Sequence, residues 1–264
     1  MPSPDPATPR PRDPATAVVP VDTRPPVSMS PADHPPIAFP DADWAWFLER
    51  CTALEIADAA ERRAPLEALY GHLVGVNGWL NLTRITTPRD YLKLHVLDSL
   101  TLEGDTRLKH LSEGAPCVDL GSGGGYPGLP MALWHQRVPW VLVDSRRKKA
   151  EFLTYAAGLT GNPRCIGRHL VGSEARHAAP ELFRTCQLVV SRAMGQAVDV
   201  LAEAEPLLAH HGHCIIMKGP AFAGAERETA MGACRRLGFR YVSERRVTLE
   251  AGDGERVMAV FERE

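Results

Sequence analysis

The chain has 264 residues, 44% of them hydrophobic, and a formal charge of −2: enough apolar material for one large core, alone or with a small helical subdomain. No run approaches the roughly 20 apolar residues that span a bilayer, and the start lacks the apolar stretch of a secretory signal, so a cytoplasmic protein without a membrane partner is expected. The near-neutral charge argues against binding a polyanion by bulk field; any nucleic-acid contact needs a local basic face.

Residues 1–40 are crowded with proline and hold only isolated apolar residues, which predicts a disordered tail. From Asp43, which suits an N-cap, apolar residues recur at three-to-four spacing and predict two helices broken near Pro65. A third starts where Thr87 can cap and Pro88 takes the first helical position, with Leu92, Val96, Leu97 and Leu100 as its buried stripe. Residues 41–112 thus read as a helical N-terminal subdomain. From Cys117 the rhythm changes, and the runs CVDL, WVLVD, RCIG, QLVVSRA and HCIIMKG are each followed by a helix or loop, the pattern of βαβ units on a parallel sheet. The last two runs, RYVSERRVTLE and ERVMAVFERE, are joined only by AGDG, so they should pair antiparallel and complete an α/β domain over 113–264. The six cysteines form no C-x-x-C pair and read as buried free thiols. His210, His211 and His213 precede a strand in a turn-like stretch without acidic or cysteine partners, so no metal is expected there.

Behind the first strand, VDLGSGGGYPGLP (118–130) packs five glycines and two prolines into thirteen residues, at the sheet end where open α/β folds bind ligands. No Lys-Ser or Lys-Thr follows, which removes a P-loop. Gly123, Gly125 and Gly128 satisfy G-x-G-x-x-G, a frame for a dinucleotide. The competing frame is Asp119-x-Gly121-x-Gly123-x-Gly125, whose bare backbone admits the methionine part of S-adenosylmethionine while Asp119 faces its cationic amino end or orders the loop. Pro127 and Pro130 thin the N–H donors that a phosphate would need. Asp144 ends the second strand, where an acid accepts from ribose hydroxyls or caps the next helix; a nicotinamide-dependent oxidoreductase would use the same position and stays open as an alternative. Arg192 ends a buried β-run, so its charge must reach the cleft or a buried acid such as Asp119. Arg146, Arg147, Lys148 and Lys149 at a helix start oppose the dipole, which points to RNA contact or to a solvated face. Lys218 on the ligand side of the sheet, with Arg84 and Arg89, completes the RNA-binding candidates.

Asn77, NLT (81–83), HVLDSL (95–100), VDLGSGGGYPGLP, LVDSRRKKAEFL, VVSRA (189–193) and MKG (217–219) occur in one order, and over about residues 70–220 they resemble the RsmG family, also called GidB, of small-subunit ribosomal RNA guanine-N7 methyltransferases. The resemblance implies a class I methyltransferase fold, Rossmann-like with a seven-stranded, mostly parallel sheet and an antiparallel last strand. It also implies S-adenosylmethionine as donor and a guanine in the 530 loop of 16S rRNA as acceptor; a near-neutral chain needs a shaped partner to find one base, so the small ribosomal subunit is the expected substrate, and a monomer is expected. Cofactor contacts carried over fall on Gly121, Tyr126 and Arg192, with Asp119, Gly123, Gly125 and Asp144 in the same pocket. The family's acidic pair after the third strand is blurred: Arg168 is kept, and the nearest acid is Glu174. Val76 replaces the family's tryptophan before Asn77, with Trp79 three positions along, and Leu94 stands where a basic residue is usual. Guanine N7 has a lone pair and no proton to lose, so no catalytic base is expected, and His95 and Asp98 should buttress the glycine loop. A catalytically silent ribosome-assembly protein is the other alternative; retention of Asp119, Gly121, Asp144 and Arg192 argues against it.

Overall fold

The computed structural model describes residues 27–264; the tail expected over residues 1–26 lies outside them. Seven strands, β1 Cys117–Leu120, β2 Trp140–Asp144, β3 Cys165–His169, β4 Cys186–Arg192, β5 Leu208–Lys218, β6 Phe239–Val247 and β7 Arg256–Arg263, form one sheet in the order β3-β2-β1-β4-β5-β7-β6. All pairings among β1–β5 are parallel, and β7 alone runs against its neighbours because the connection 248–255 is too short to carry a crossover helix. The chain winds outward from β1 to β3 and then returns beside β1 as β4, so the strand order reverses between β1 and β4. At such a switch point the loops leave in opposite directions and open a crevice.

Alternation along each strand sorts the core into two layers. Cys117, Leu142, Val190, Ile215 and Met258 face one cluster, while Val118, Val143, Val189, Ile216 and Ala259 face the other. The first layer is covered by the helices Asp41–Ala53, Arg63–Leu80, Gly128–Trp134 and Arg147–Gly158 and by a helical run over 88–100. Helices Ala197–Ala204 and Ala225–Cys234 cover the second. The N-terminal helices therefore share a continuous core with the sheet, and 41–112 is a layer of the fold where a subdomain was expected.

The first helix starts at Asp41, with Pro40 at the N-cap, two residues before the expected cap Asp43. The break before the second spans 54–62, and Pro65 sits in the first turn of Arg63–Leu80, where a missing N–H breaks no helical bond. Thr87 caps as expected: its Oγ1 accepts from Asp90 N at 3.3 Å. Inside the 88–100 run, Tyr91–Leu97 widen into a π-helical stretch.

Residues 27–40 correct the expectation of a tail that reaches residue 40. The Met29 carbonyl accepts from His72 Nε2 at 2.9 Å, Ile37 N donates to Glu67 O at 3.2 Å, and buried Phe39 stacks on Trp44, Tyr70 and Tyr91. The matching signal lay in the helix beneath. A Cβ at Gly71 would stand 2.2 Å from the Pro35 carbonyl oxygen, and one at Gly75 2.1 Å from His34 Nδ1, so two glycines one turn apart let the segment lie against the helix. The histidine run is likewise part of β5, whose first residues bulge against β4, and His211 Nδ1 pairs with Glu262 at 2.7 Å. All six cysteines are free and buried, and burial pushes the thiols of Cys51, Cys165 and Cys186 up to about 12. Among the described residues no helix is long and apolar enough to cross a membrane.

Replacing Gly71 with Ala should lower stability in urea unfolding, although alanine favours an exposed helix interior by about 1 kcal/mol. In a chain shortened to begin at residue 38 the sign should reverse; an equal loss in both chains would show that the segment does not rest on Gly71.

Candidate active site

The glycine loop is built around a buried acid. Asp119, fully buried near the end of β1, accepts from Ser122 Oγ at 2.5 Å and from Gly128 N at 2.8 Å, both through Oδ2. Gly128 opens the following helix and must lack a side chain, because a Cβ there would meet Asp119 and Leu142 at 2.7 and 2.2 Å. Between these anchors Gly121, Gly123 and Gly125 take φ of +71°, +60° and +98°, conformations that other residues rarely adopt. Burial raises the Asp119 carboxyl to about 6, against the hydrogen bonds from Ser122 and Gly128 and the charge of Arg192. Its second oxygen, Oδ1, is buried without a partner among the described residues.

Asp144 closes the loop from β2. Its Oδ2 accepts from Gly123 N at 3.1 Å, and its Oδ1 accepts from Arg146 N at 2.8 Å. It therefore ties the loop to the start of the next helix while lining a cleft of about 370 Å³ with Leu120, Gly121, Leu170, Val171 and Met194. Arg146, Lys149 and Glu203 supply charges to the same cleft. Met194 lies over Gly121, where a Cβ would come within 2.7 Å of its sulfur.

A second cleft of about 340 Å³, lined by Ile85, Leu94, Asp98, Arg192, Met217 and Arg256, lies across Ala193, which lines both clefts. Behind it stands a hydrogen-bonded network drawn from four parts of the chain. Asn77 brackets Thr83, accepting from its N–H at 2.9 Å and donating to its carbonyl at 3.0 Å. Arg192 donates to His95 Nδ1 at 3.0 Å, so the His95 proton sits on Nε2, which donates to Thr83 Oγ1 at 2.8 Å. Burial, with Arg192 alongside, lowers the imidazole to about 3, so it stays neutral near pH 7. Arg192 also donates to the Leu94 carbonyl and pairs with Asp98 at 2.7 Å, while Arg256 takes the other Asp98 oxygen at 2.7 Å. Arg192 thus pairs with Asp98, not with Asp119.

The structure separates the expected site residues into groups. Gly121, Asp144 and Arg146 line the first cleft, and Arg192 and Lys218 the second. Asp119 lies beneath the loop and orders it. Tyr126 is a buried packing residue, its hydroxyl donating to Tyr91 at 2.9 Å and its ring stacked 4.3 Å from His95. Glu174 is exposed and lines neither cleft; the acid that joins Asp144 at the wall is Glu203, from helix Ala197–Ala204. Arg168 turns away to Glu181 at 3.0 Å. Lys218 is held by Glu226 at 2.6 Å and by the Gly195 carbonyl. Arg147 and Lys148 stand exposed on the rim beside Arg146, whereas Arg89 lies over Trp46, 3.6 Å from the ring centre. Leu170, Val171, Met194 and Arg256 were missed; only Arg256, after a glycine turn and ahead of an apolar strand, resembled Arg192 in its sequence setting.

Comparison with known proteins gives a consistent set of relatives. A family model described as GidB, rRNA small subunit methyltransferase G, matches residues 62–245. Ribosomal RNA small subunit methyltransferase G of Myxococcus xanthus is 34% identical over 81% of this chain and 94% of its own length. The proteins of the same name from Sorangium cellulosum and Deinococcus deserti are 36% and 34% identical, over 70% and 80% of this chain and 74% and 83% of theirs.

Asp98→Ala should cost about 3 kcal/mol or more in urea unfolding, because it strands two guanidinium groups in a largely buried site. The advantage of Asp119→Asn over the parent chain should grow as pH rises from about 4 to 6 and then level off, since a raised carboxyl pKa makes the folded parent lose stability through that window. His95 titrates in both proteins and cancels in the difference.

Proposed function

The chain belongs to the rRNA small subunit methyltransferase G family, and on that premise we propose that it methylates N7 of a guanine in the 530 loop of 16S rRNA, using S-adenosylmethionine as donor. The observation that carries this reading is the pair of clefts meeting at Ala193, one walled by the glycine loop and Asp144 and the other by Arg192, Asp98 and Arg256.

The residues of the first cleft fit the donor better than a dinucleotide. The first N–H of the helix after the glycine loop is taken by a carboxylate of the chain itself, and two nearby residues are prolines without N–H, so a pyrophosphate would meet a buried anion and few donors. A cationic ligand meets the opposite situation, with Asp144 and Glu203 at the walls and the Asp119 carboxyl beneath the loop. Asp144 would accept from the ribose hydroxyls, Gly121 and Gly123 would leave room at the loop, and Leu120, Leu170, Val171 and Met194 would supply apolar walls. When bound, the donor supplies a methyl group activated by a positively charged sulfur.

The chain's own part in the reaction is binding and alignment. Guanine N7 has no proton to give up, and at the second cleft both nitrogens of His95 are engaged and both oxygens of Asp98 are held by arginines. Rate must then come from holding nucleophile and donor in line across Ala193 and from excluding water between them. Asp98 and its two arginines make the second cleft polar and leave it one net positive charge from that group. Such an enzyme works in the cytoplasm, where small subunits are assembled.

Incubation with labelled donor and under-methylated small subunits, then borohydride reduction and aniline cleavage, should break 16S rRNA at one guanine of the 530 loop. Asp144→Asn, which keeps an acceptor for Gly123 N, should weaken donor binding in calorimetry by about tenfold or more. Donor binding that is undetectable in the parent chain, or label at another RNA atom, would overturn the assignment.

A further inference from the structure

A groove of about 330 Å³ separates the end of helix Arg63–Leu80 from the start of helix Arg147–Gly158. One bank is Trp79, Leu80 and Asn81; the other is the basic run Arg146 to Lys149. Lys148 Nζ rests 4.2 Å from the centre of the half-buried Trp79 ring. Arg146 and Lys149 also line the first cleft, so the groove and the cleft adjoin.

Two properties of the groove ask for the same ligand. Among the described residues none of its four cations pairs with a carboxylate, whereas Arg63, Lys93, Arg192, Lys218 and Arg246 all do. The four sit at the first turn of a helix, where the backbone N–H groups add positive potential to theirs. An arrangement that is self-repelling in the free protein is relieved by phosphates. The second property is the half-buried indole with a flexible ammonium group over its ring, which a phosphate can draw aside. Cations flanking an aromatic face suit a strand that offers phosphates and an unstacked base together; a duplex keeps its base faces covered, and an acidic protein surface would use the cations and leave the ring idle.

We propose that Trp79 is a stacking platform for an unpaired base near the target guanine, with Arg147 and Lys148 holding the phosphates beside it. The proposal rests on the RNA methyltransferase reading and adds the residue by which the enzyme selects an open strand. Trp79 does not occupy the family's tryptophan position, which here is the buried Val76, so the platform belongs to this chain's own pattern.

The test compares the full-length parent chain with Trp79→Ala, Trp79→Phe, Trp79→Leu and Lys148→Ala. Each is assayed for methyl transfer to under-methylated small subunits, for binding of a single-stranded 12-nucleotide RNA and its duplex, and for donor binding by calorimetry. Trp79→Ala should raise KM for subunits and Kd for the single strand by about 5- to 100-fold, with donor affinity unchanged. Phe should restore most of the loss and Leu little of it. The slope of log K against log salt should stay unchanged in the Trp79 variants and fall by about 0.7 in Lys148→Ala. The platform is refuted if Leu serves as well as Phe, if Trp79→Ala binds RNA like the parent, or if the duplex binds as tightly as the single strand. A parent chain that binds the single strand through Trp79 yet transfers no methyl group would overturn the enzymatic reading and leave the platform standing.

Discussion

The buried Asp119 carboxylate is the contact on which the ligand-binding edge depends. One oxygen joins the end of β1 to Ser122 in the loop and to Gly128 at the start of the next helix. These two bonds fix the path of the glycine loop between them, and Asp144 fixes it from the neighbouring strand. Burying a carboxylate is costly, and the raised pKa measures that cost. The return is a helix start whose first free N–H is already satisfied by the protein. A helix start filled from within offers less to a phosphate.

Asp98 organises the other cleft in a comparable way. It sits on the 88–100 helical run, is nearly buried, and receives one arginine from β4 and one from β7. Three separate elements are thereby pinned at one point, and His95 extends the connection through Thr83 to Asn77. Each member is committed to a partner, and burial beside Arg192 keeps the imidazole neutral. A network so arranged holds shape at a site where the chemistry requires alignment and no proton to be taken.

The strand runs, the antiparallel closing pair and the candidate ligand end were legible because the signals are local: short apolar runs, glycines behind β1, and an acid ending β2. The RsmG resemblance added what those signals left open, and the residues that carried it, Asn77, Thr83, His95, Asp98 and Arg192, proved to be one connected network. What could not be read was pairing at long range. Arg192 had a charge to satisfy, yet nothing local distinguished Asp98 from Asp119 as its partner, and Arg256 lies 158 residues from the acid it holds. Glu174 is the acid nearest after β3 in sequence, whereas Glu203, in the helix that follows β4, is the one that lines the cleft. Residues 27–40 looked too rich in proline to fold, but their order comes from Phe39 and from the glycines of the helix they rest on.

The seclusion of all six thiols has a practical consequence. Thiolate, not thiol, reacts with alkylating agents, and burial withholds both the ionised form and the access it needs. Intact molecules are therefore indifferent to such reagents, while an unfolded one consumes six equivalents. The enzyme carries its own gauge of integrity: the number of modified sulfurs in a sample counts the molecules that have opened.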